Sequence, residues 1–186
     1  MFLLAEVIYL VYDYVRRNIV FYSGHITFNM EKVSNGLGLS LEQTLDFFVD
    51  GRKFSYLAEN IVSNFPTYEK AKSEKMPYDV IKNNLKIECR CMTDKIDFKP
   101  SSQIGAGRKF NEQLFKEHKI DQIDYFMIFD LNKNDLKNGK IGYWFICKNI
   151  IWDCYKNCLI GKNACISRNK FSRFLKEGII KWEKEI

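Results

Sequence analysis

The sequence predicts an α/β fold: a mixed β-sheet that carries an antiparallel hairpin and is flanked by helices. Three observations predict it. Apolar residues recur at helical spacing before Pro66, the period changes to strict alternation after Pro77, and two uninterrupted apolar runs follow at 125–129 and 141–147. Alternation marks a half-buried strand, and a short continuous run marks a strand covered on both faces.

Taken in order, Leu3, Val7, Leu10, Val11, Tyr14 and Val15 outline an amphipathic helix over 3–20. Ser40-Leu41-Glu42-Gln43 has the form of a capping box, and Leu41, Leu45, Phe47 and Phe48 continue it as a short helix ending near Asp50-Gly51. A second helix over 54–65 stops at Pro66, and the Glu- and Lys-rich stretch 67–75 reads as a solvated connection. Residues 78–82 and 85–92 alternate around Asn83-Asn84, a pair able to supply the two positive φ angles of a tight hairpin. A third short strand over 96–99 ends at Pro100, and 101–107 is a small-residue loop. Phe110, Leu114 and Phe115 give a helical pattern to 108–119. The last helix, near 169–177, has Ser167 as N-cap and Phe171, Phe174 and Leu175 as its buried stripe. No repeat or linker interrupts the chain, so one domain is expected over 1–186. It divides into a helical N-terminal part (1–66), a sheet core (77–147) and a basic C-terminal part (148–186).

The charge is unevenly placed. Residues 1–80 hold 8 basic and 10 acidic side chains, whereas 81–186 hold 21 and 13, so the positive field belongs to the second part. Such a field favours a polyanionic partner. The helix pair at 40–65 is acidic, with Glu42, Asp46, Asp50 and Glu59 against Arg52 and Lys53, which argues for packing or a dimer contact over a helix-turn-helix DNA reader. Of six cysteines only Cys154 and Cys158 approach ligand spacing, and both histidines are remote, so reduced thiols are expected and zinc is the minor alternative. The apolar stretch 1–15 lacks a basic start, contains Glu6 and Asp13, and is too short to span a bilayer. No membrane segment and a cytoplasmic location are the expectation.

Counting outward from a two-residue turn pairs Lys82 with Leu85, Ile81 with Lys86, Val80 with Ile87 and Asp79 with Glu88. Opposed residues have Cβ atoms about 4.5–5.5 Å apart, where two carboxylates repel unless something neutralises them. The same alternation collects Leu85, Ile87, Cys89 and Cys91 on an apolar face and Lys86, Glu88 and Arg90 on the other. Two hard oxygen donors beside two cations suit Mg²⁺ and a phosphate. That equipment points to phosphodiester hydrolysis, with Asp79 and Glu88 as metal ligands and Arg90, or alternatively Lys86, stabilising charge.

Pro77-Tyr78-Asp79 followed by Glu88-x-Arg90, with a helix before and strands and a helix after, resembles the PD-(D/E)xK nuclease superfamily over roughly 54–147. The resemblance implies a restriction-endonuclease-like sandwich, with Asp79 and Glu88 as metal ligands and Arg90 at the motif's Lys position. Two departures stand out, the Tyr between Pro and Asp and the Arg in place of Lys. Arginine stays protonated, so charge stabilisation is the role left to it. Many members add an acidic ligand from the preceding helix, which corresponds here to Glu59; the competing reading is a solvated helix-face glutamate. A lone domain of this kind is similar to the stand-alone type II restriction endonucleases, which act as homodimers on double-stranded DNA.

DNA contacts are expected from Lys99, Ser101, Ser102, Gln103, Arg108 and Lys109, which lead from the sheet into a helix, and from Arg168, Lys170 and Arg173 on the last helix. An ordinary strand-to-helix loop and a solvated helix face are the competing readings of those segments. From a different class, a non-catalytic nucleic-acid-binding module remains open, as do a repair or junction-resolving nuclease and an RNA-directed one.

Overall fold

The computed structural model describes residues 20–22, 24–73 and 75–186. The helix expected over 3–20 lies outside them, apart from Val20, which opens strand β1 (Val20–Tyr22). The remaining elements follow as β2 (His25–Thr27), α1 (Met30–Leu37), α2 (Leu41–Phe48), α3 (Gly51–Val62), β3 (Tyr68–Lys70), β4 (Val80–Lys82), β5 (Leu85–Met92) and β6 (Lys95–Asp97). After them come α4 (Glu112–His118), β7 (Tyr125–Asp130), α5 (Lys133–Lys137), β8 (Lys140–Cys147), α6 (Lys148–Lys156), β9 (Cys165–Ser167) and α7 (Arg168–Lys176).

The hairpin forms at the expected turn. Asn83 and Asn84 take φ of 49° and 67°, both in the left-handed region that asparagine tolerates better than most residues. Pairing follows the expected register for three rungs, Lys82 with Leu85, Ile81 with Lys86 and Val80 with Ile87. Seven strands then assemble in the order β1-β2-β8-β7-β5-β4-β3. The β5–β7 pair is parallel, and β4–β5 and β7–β8 are antiparallel, which makes the sheet mixed. β6 pairs with β9 in a separate two-stranded sheet.

Side chains of successive residues leave opposite faces of this sheet. On one face Ile87, Cys89, Met127, Phe129 and Phe145 pack against Phe48, Phe54, Leu57 and Ile61 of α2 and α3. On the other, Met92, Phe126, Ile128 and Ile146 meet Phe98, Phe115, Ile151, Phe171 and Phe174. Each of these buried aromatics contributes roughly 1.5–3 kcal/mol by leaving water. The face of Glu88 and Arg90 is therefore packed, whereas the hairpin read alone suggested a polar one. Segments from far along the chain, α4, α6 and α7, cover it.

The capping box at Ser40 forms in both directions. Other expectations shift. The helical part expected over 1–66 includes two strands, and the connection expected over 67–75 contains β3. Strands of three residues, with one buried side chain each in β2 and β3, are too short to display a period. The helix expected over 108–119 begins at Glu112, because Asn111 caps it by accepting the Leu114 N–H at 2.9 Å. All six cysteines are free thiols. Among the described residues no helix is long and apolar enough to cross a membrane.

Candidate active site

Asp79 stands one residue outside β4, where the ladder is interrupted. Its N–H donates to the Ile87 carbonyl at 2.9 Å, although Ile87 already faces Val80. Two residues thus oppose one, a β-bulge of the kind that re-aims a side chain. The Asp79 carboxylate fills the next rung itself, Oδ2 accepting the Cys89 N–H at 2.7 Å. The one-to-one opposition of Asp79 and Glu88 expected from the turn length stops at Val80 for this reason. The two acids still lie close enough for the charge of Glu88 to act on Asp79.

Glu88 is only 4% exposed. Its Oε1 accepts from two cations at once, Arg90 Nη2 at 2.7 Å and Lys119 Nζ at 2.8 Å. A buried carboxylate is tolerable when paired in this way. Lys119, just past α4, also donates to the Pro77 carbonyl at 2.7 Å, and so ties the segment before Asp79 to the far side of the site. Arg90 Nη2 donates further to the Lys99 carbonyl at 3.0 Å. Its buried Nε has no hydrogen-bond partner among the described residues.

The electrostatics separate the two acids. Burial pushes the Asp79 carboxyl up to about 8, helped by the negative charges of Glu88 and Glu59, while Arg90 and the Cys89 N–H pull the other way. Burial also lowers the pKa of Lys119, against the opposing pull of Glu88. Cys89 and Cys91, beside this cluster, are held as neutral thiols, chiefly by burial. Positive charge gathers on Glu88 and is short around Asp79. Among the described residues no three His, Cys, Asp or Glu side chains converge as a ready-made metal cage. Mg²⁺ does not require one, since it keeps several waters and is held by one or two carboxylates plus substrate phosphate. Asp79 and Glu88 are two hard-oxygen donors of the kind such an ion takes, and Glu59 acts on Asp79 from α3 through its charge.

Asp79, Glu88, Arg90 and Glu59 are thus brought into one neighbourhood. Lys86 is exposed, and its ammonium lies 5.6 Å from the centre of the Tyr78 ring. Of the expected DNA contacts, Ser101, Ser102, Arg108 and Lys109 are exposed, with Arg108 Nη1 donating to the Ser101 carbonyl at 2.7 Å. Gln103 does not face a groove: it is buried, and its amide exchanges hydrogen bonds with the Asn111 backbone. Lys99 lies 3.5 Å from Asp97 with its side chain 13% exposed. Arg168 is spent internally, on the carbonyls of Thr93 and Met92 at 2.6 and 2.7 Å and on the Asp130 carboxylate. There it fastens α7 to the carboxyl ends of β5 and β7. Lys170 and Arg173 flank the Phe174 ring at 5.3 and 5.5 Å.

Lys119 escaped the sequence reading because no spacing rule connects it to Glu88; the crossover from β5 to β7 brings it there. A cavity of about 380 Å³ opens at the opposite end of the parallel pair, lined by Thr93, Asp94, Leu131, Lys133 and Arg168 among others, and includes none of the four acids and cations around Glu88. Comparison of the chain with protein-family models, curated proteins and solved structures returned no significant match.

Proposed function

We propose that this chain is a magnesium-dependent endonuclease that hydrolyses phosphodiester bonds in double-stranded DNA, in the manner of a stand-alone type II restriction endonuclease of the PD-(D/E)xK type. The observation that carries the reading is that Asp79, just before β4, lies close enough to Glu88 of β5 to feel its charge, with two buried cations gathered on Glu88. Carboxylates and cations in one partly dry site are what a metal ion and a phosphate together need.

Asp79 and Glu88 would hold Mg²⁺, with waters and a substrate phosphate completing its shell, and Glu59 would add its negative charge from α3. The ion, when bound, lowers the pKa of a coordinated water and offsets charge on the pentacovalent phosphorus. Arg90 and Lys119 supply the remaining positive charge. A guanidinium matches two phosphate oxygens, and the Arg90 Nε–H, which has no partner among the described residues, is a donor that a non-bridging oxygen would satisfy. An orphaned buried donor costs about 1–3 kcal/mol, a cost that substrate would relieve. The lysine adds a point charge from outside the hairpin. Homodimerisation on a duplex is part of the same reading.

Supercoiled plasmid incubated with Mg²⁺ is expected to be nicked or linearised, and to stay intact with chelator. Asp79→Asn and Glu88→Gln should each abolish cutting, and Arg90→Met should slow it by about 100-fold, the usual loss of one charge-stabilising donor. Normal cutting by both carboxylate variants would sink the proposal. Duplex bound but never cut would favour the non-catalytic binding module, and cleavage confined to RNA would change the substrate.

A further inference from the structure

The structure removes several expected DNA contacts, since Lys99, Gln103 and Arg168 use their polar groups inside the molecule. Exposed cations stand elsewhere, on the connection between β3 and β4. The Ala71 N–H donates to the Asp79 carbonyl at 2.9 Å, so Lys72 follows directly on the residue bonded to the Asp79 backbone. Ser73 then organises a turn, its carbonyl accepting the Met76 N–H at 3.0 Å and its hydroxyl the Lys75 N–H at 3.2 Å. Pro77, at the end of that turn, is held by Lys119. The loop is thus fastened at both ends to the candidate active site.

Lys72 and Lys75 are both exposed. The run 70–75 carries three lysines to one glutamate, and Lys70 is committed to Asn60 at 2.8 Å. From the other strand, Lys86 precedes Glu88 by two residues on the same sheet face, its ammonium resting over Tyr78. Two chain segments, each adjoining one of the two acids along the backbone, therefore present exposed lysines. A lysine is a point charge suited to phosphate but not to a base edge, so a duplex held here would be held regardless of sequence.

Resting on the nuclease reading, we propose that Lys72, Lys75 and Lys86 form the surface on which the DNA backbone lies as it crosses the active site. The phosphates flanking the scissile one meet these lysines, and α7 is not the track. Base recognition then falls to another part of the molecule, such as the exposed loop with Ser101, Ser102, Arg108 and Lys109.

The test is duplex binding without divalent metal, followed by fluorescence anisotropy from about 50 to 200 mM salt, using wild type and the triple variant Lys72→Ala/Lys75→Ala/Lys86→Ala. Each lost phosphate contact should flatten the slope of log K against log salt by about 0.9, so the triple variant should lose roughly 2–3 of it. A second triple variant, Lys170→Ala/Arg173→Ala/Lys176→Ala, is the competing arm. If the first variant keeps the wild-type slope, or if the loss falls on the second, the proposal is overturned while plasmid cutting by wild type leaves the nuclease reading standing. If wild type binds no duplex and cuts none, both fall. Unchanged melting temperatures establish that these surface changes act on binding and not on folding.

Discussion

Two cations on one oxygen of Glu88 limit what can be changed around it. Removing Lys119 leaves a buried carboxylate with one partner, so Lys119→Met should destabilise the protein by about 3–5 kcal/mol, read from urea denaturation, with Lys119→Arg retaining much of the stability. Asp79 has the opposite problem, too little positive charge. Its carboxyl, near 4 in the unfolded chain, is raised to about 8 in the folded one. Between those values the folded protein keeps a proton that the unfolded chain has released, so unfolding releases it. The resulting stability is full below about pH 4 and is lost as pH rises towards 8. A divalent cation needs the deprotonated form, so the increase in melting temperature on adding Mg²⁺ should grow from about pH 6 to about pH 8. Asp79→Asn should flatten both trends; a Mg²⁺ effect independent of pH, or retained by that variant, would remove Asp79 from the ligand set.

At the level of elements, the hairpin was the most legible part of the chain because its turn chemistry and its alternation agree. The turn can be tested directly: Asn84→Gly should change stability by less than about 1 kcal/mol, whereas Asn84→Val should cost about 1–2 kcal/mol for the left-handed backbone, measured as a shift in the urea midpoint. What the alternation did not reveal was the bulge. A bulge is set by a competition between backbone and side-chain acceptors, here won by Asp79 Oδ2 at the Cys89 N–H, and residue types alone do not record it. Gly139 marks a similar local constraint. Its φ is +64°, and a Cβ there would lie 1.9 Å from the Phe28 carbonyl oxygen, the residue whose N–H Gly139 accepts at 2.8 Å. Gly139→Ala should therefore cost well above the about 1–2 kcal/mol of backbone strain alone.

Across the whole molecule, the runs at β7 and β8 were legible because a strand covered on both faces must be apolar throughout. The cover itself was not. Glu88 read as part of a polar face because α4, α6 and α7, which close that face with Phe115, Ile151 and Phe171, come from beyond the hairpin in sequence. Amide exchange should be slowest in β5, β7 and β8, the central strands, and fastest at the edge strand β3. The parallel pairing of β5 with β7 also sets an order of events. The β4–β5 hairpin is local and can close in about 1–10 μs, but its parallel neighbour must wait for the whole segment 93–124 to be looped across. Lys119 travels in that segment. The acids are thus brought together on a hairpin early with Arg90 beside Glu88, and the second cation comes only with the later crossover, so a chain caught part-way through folding holds Glu88 with one of its two partners.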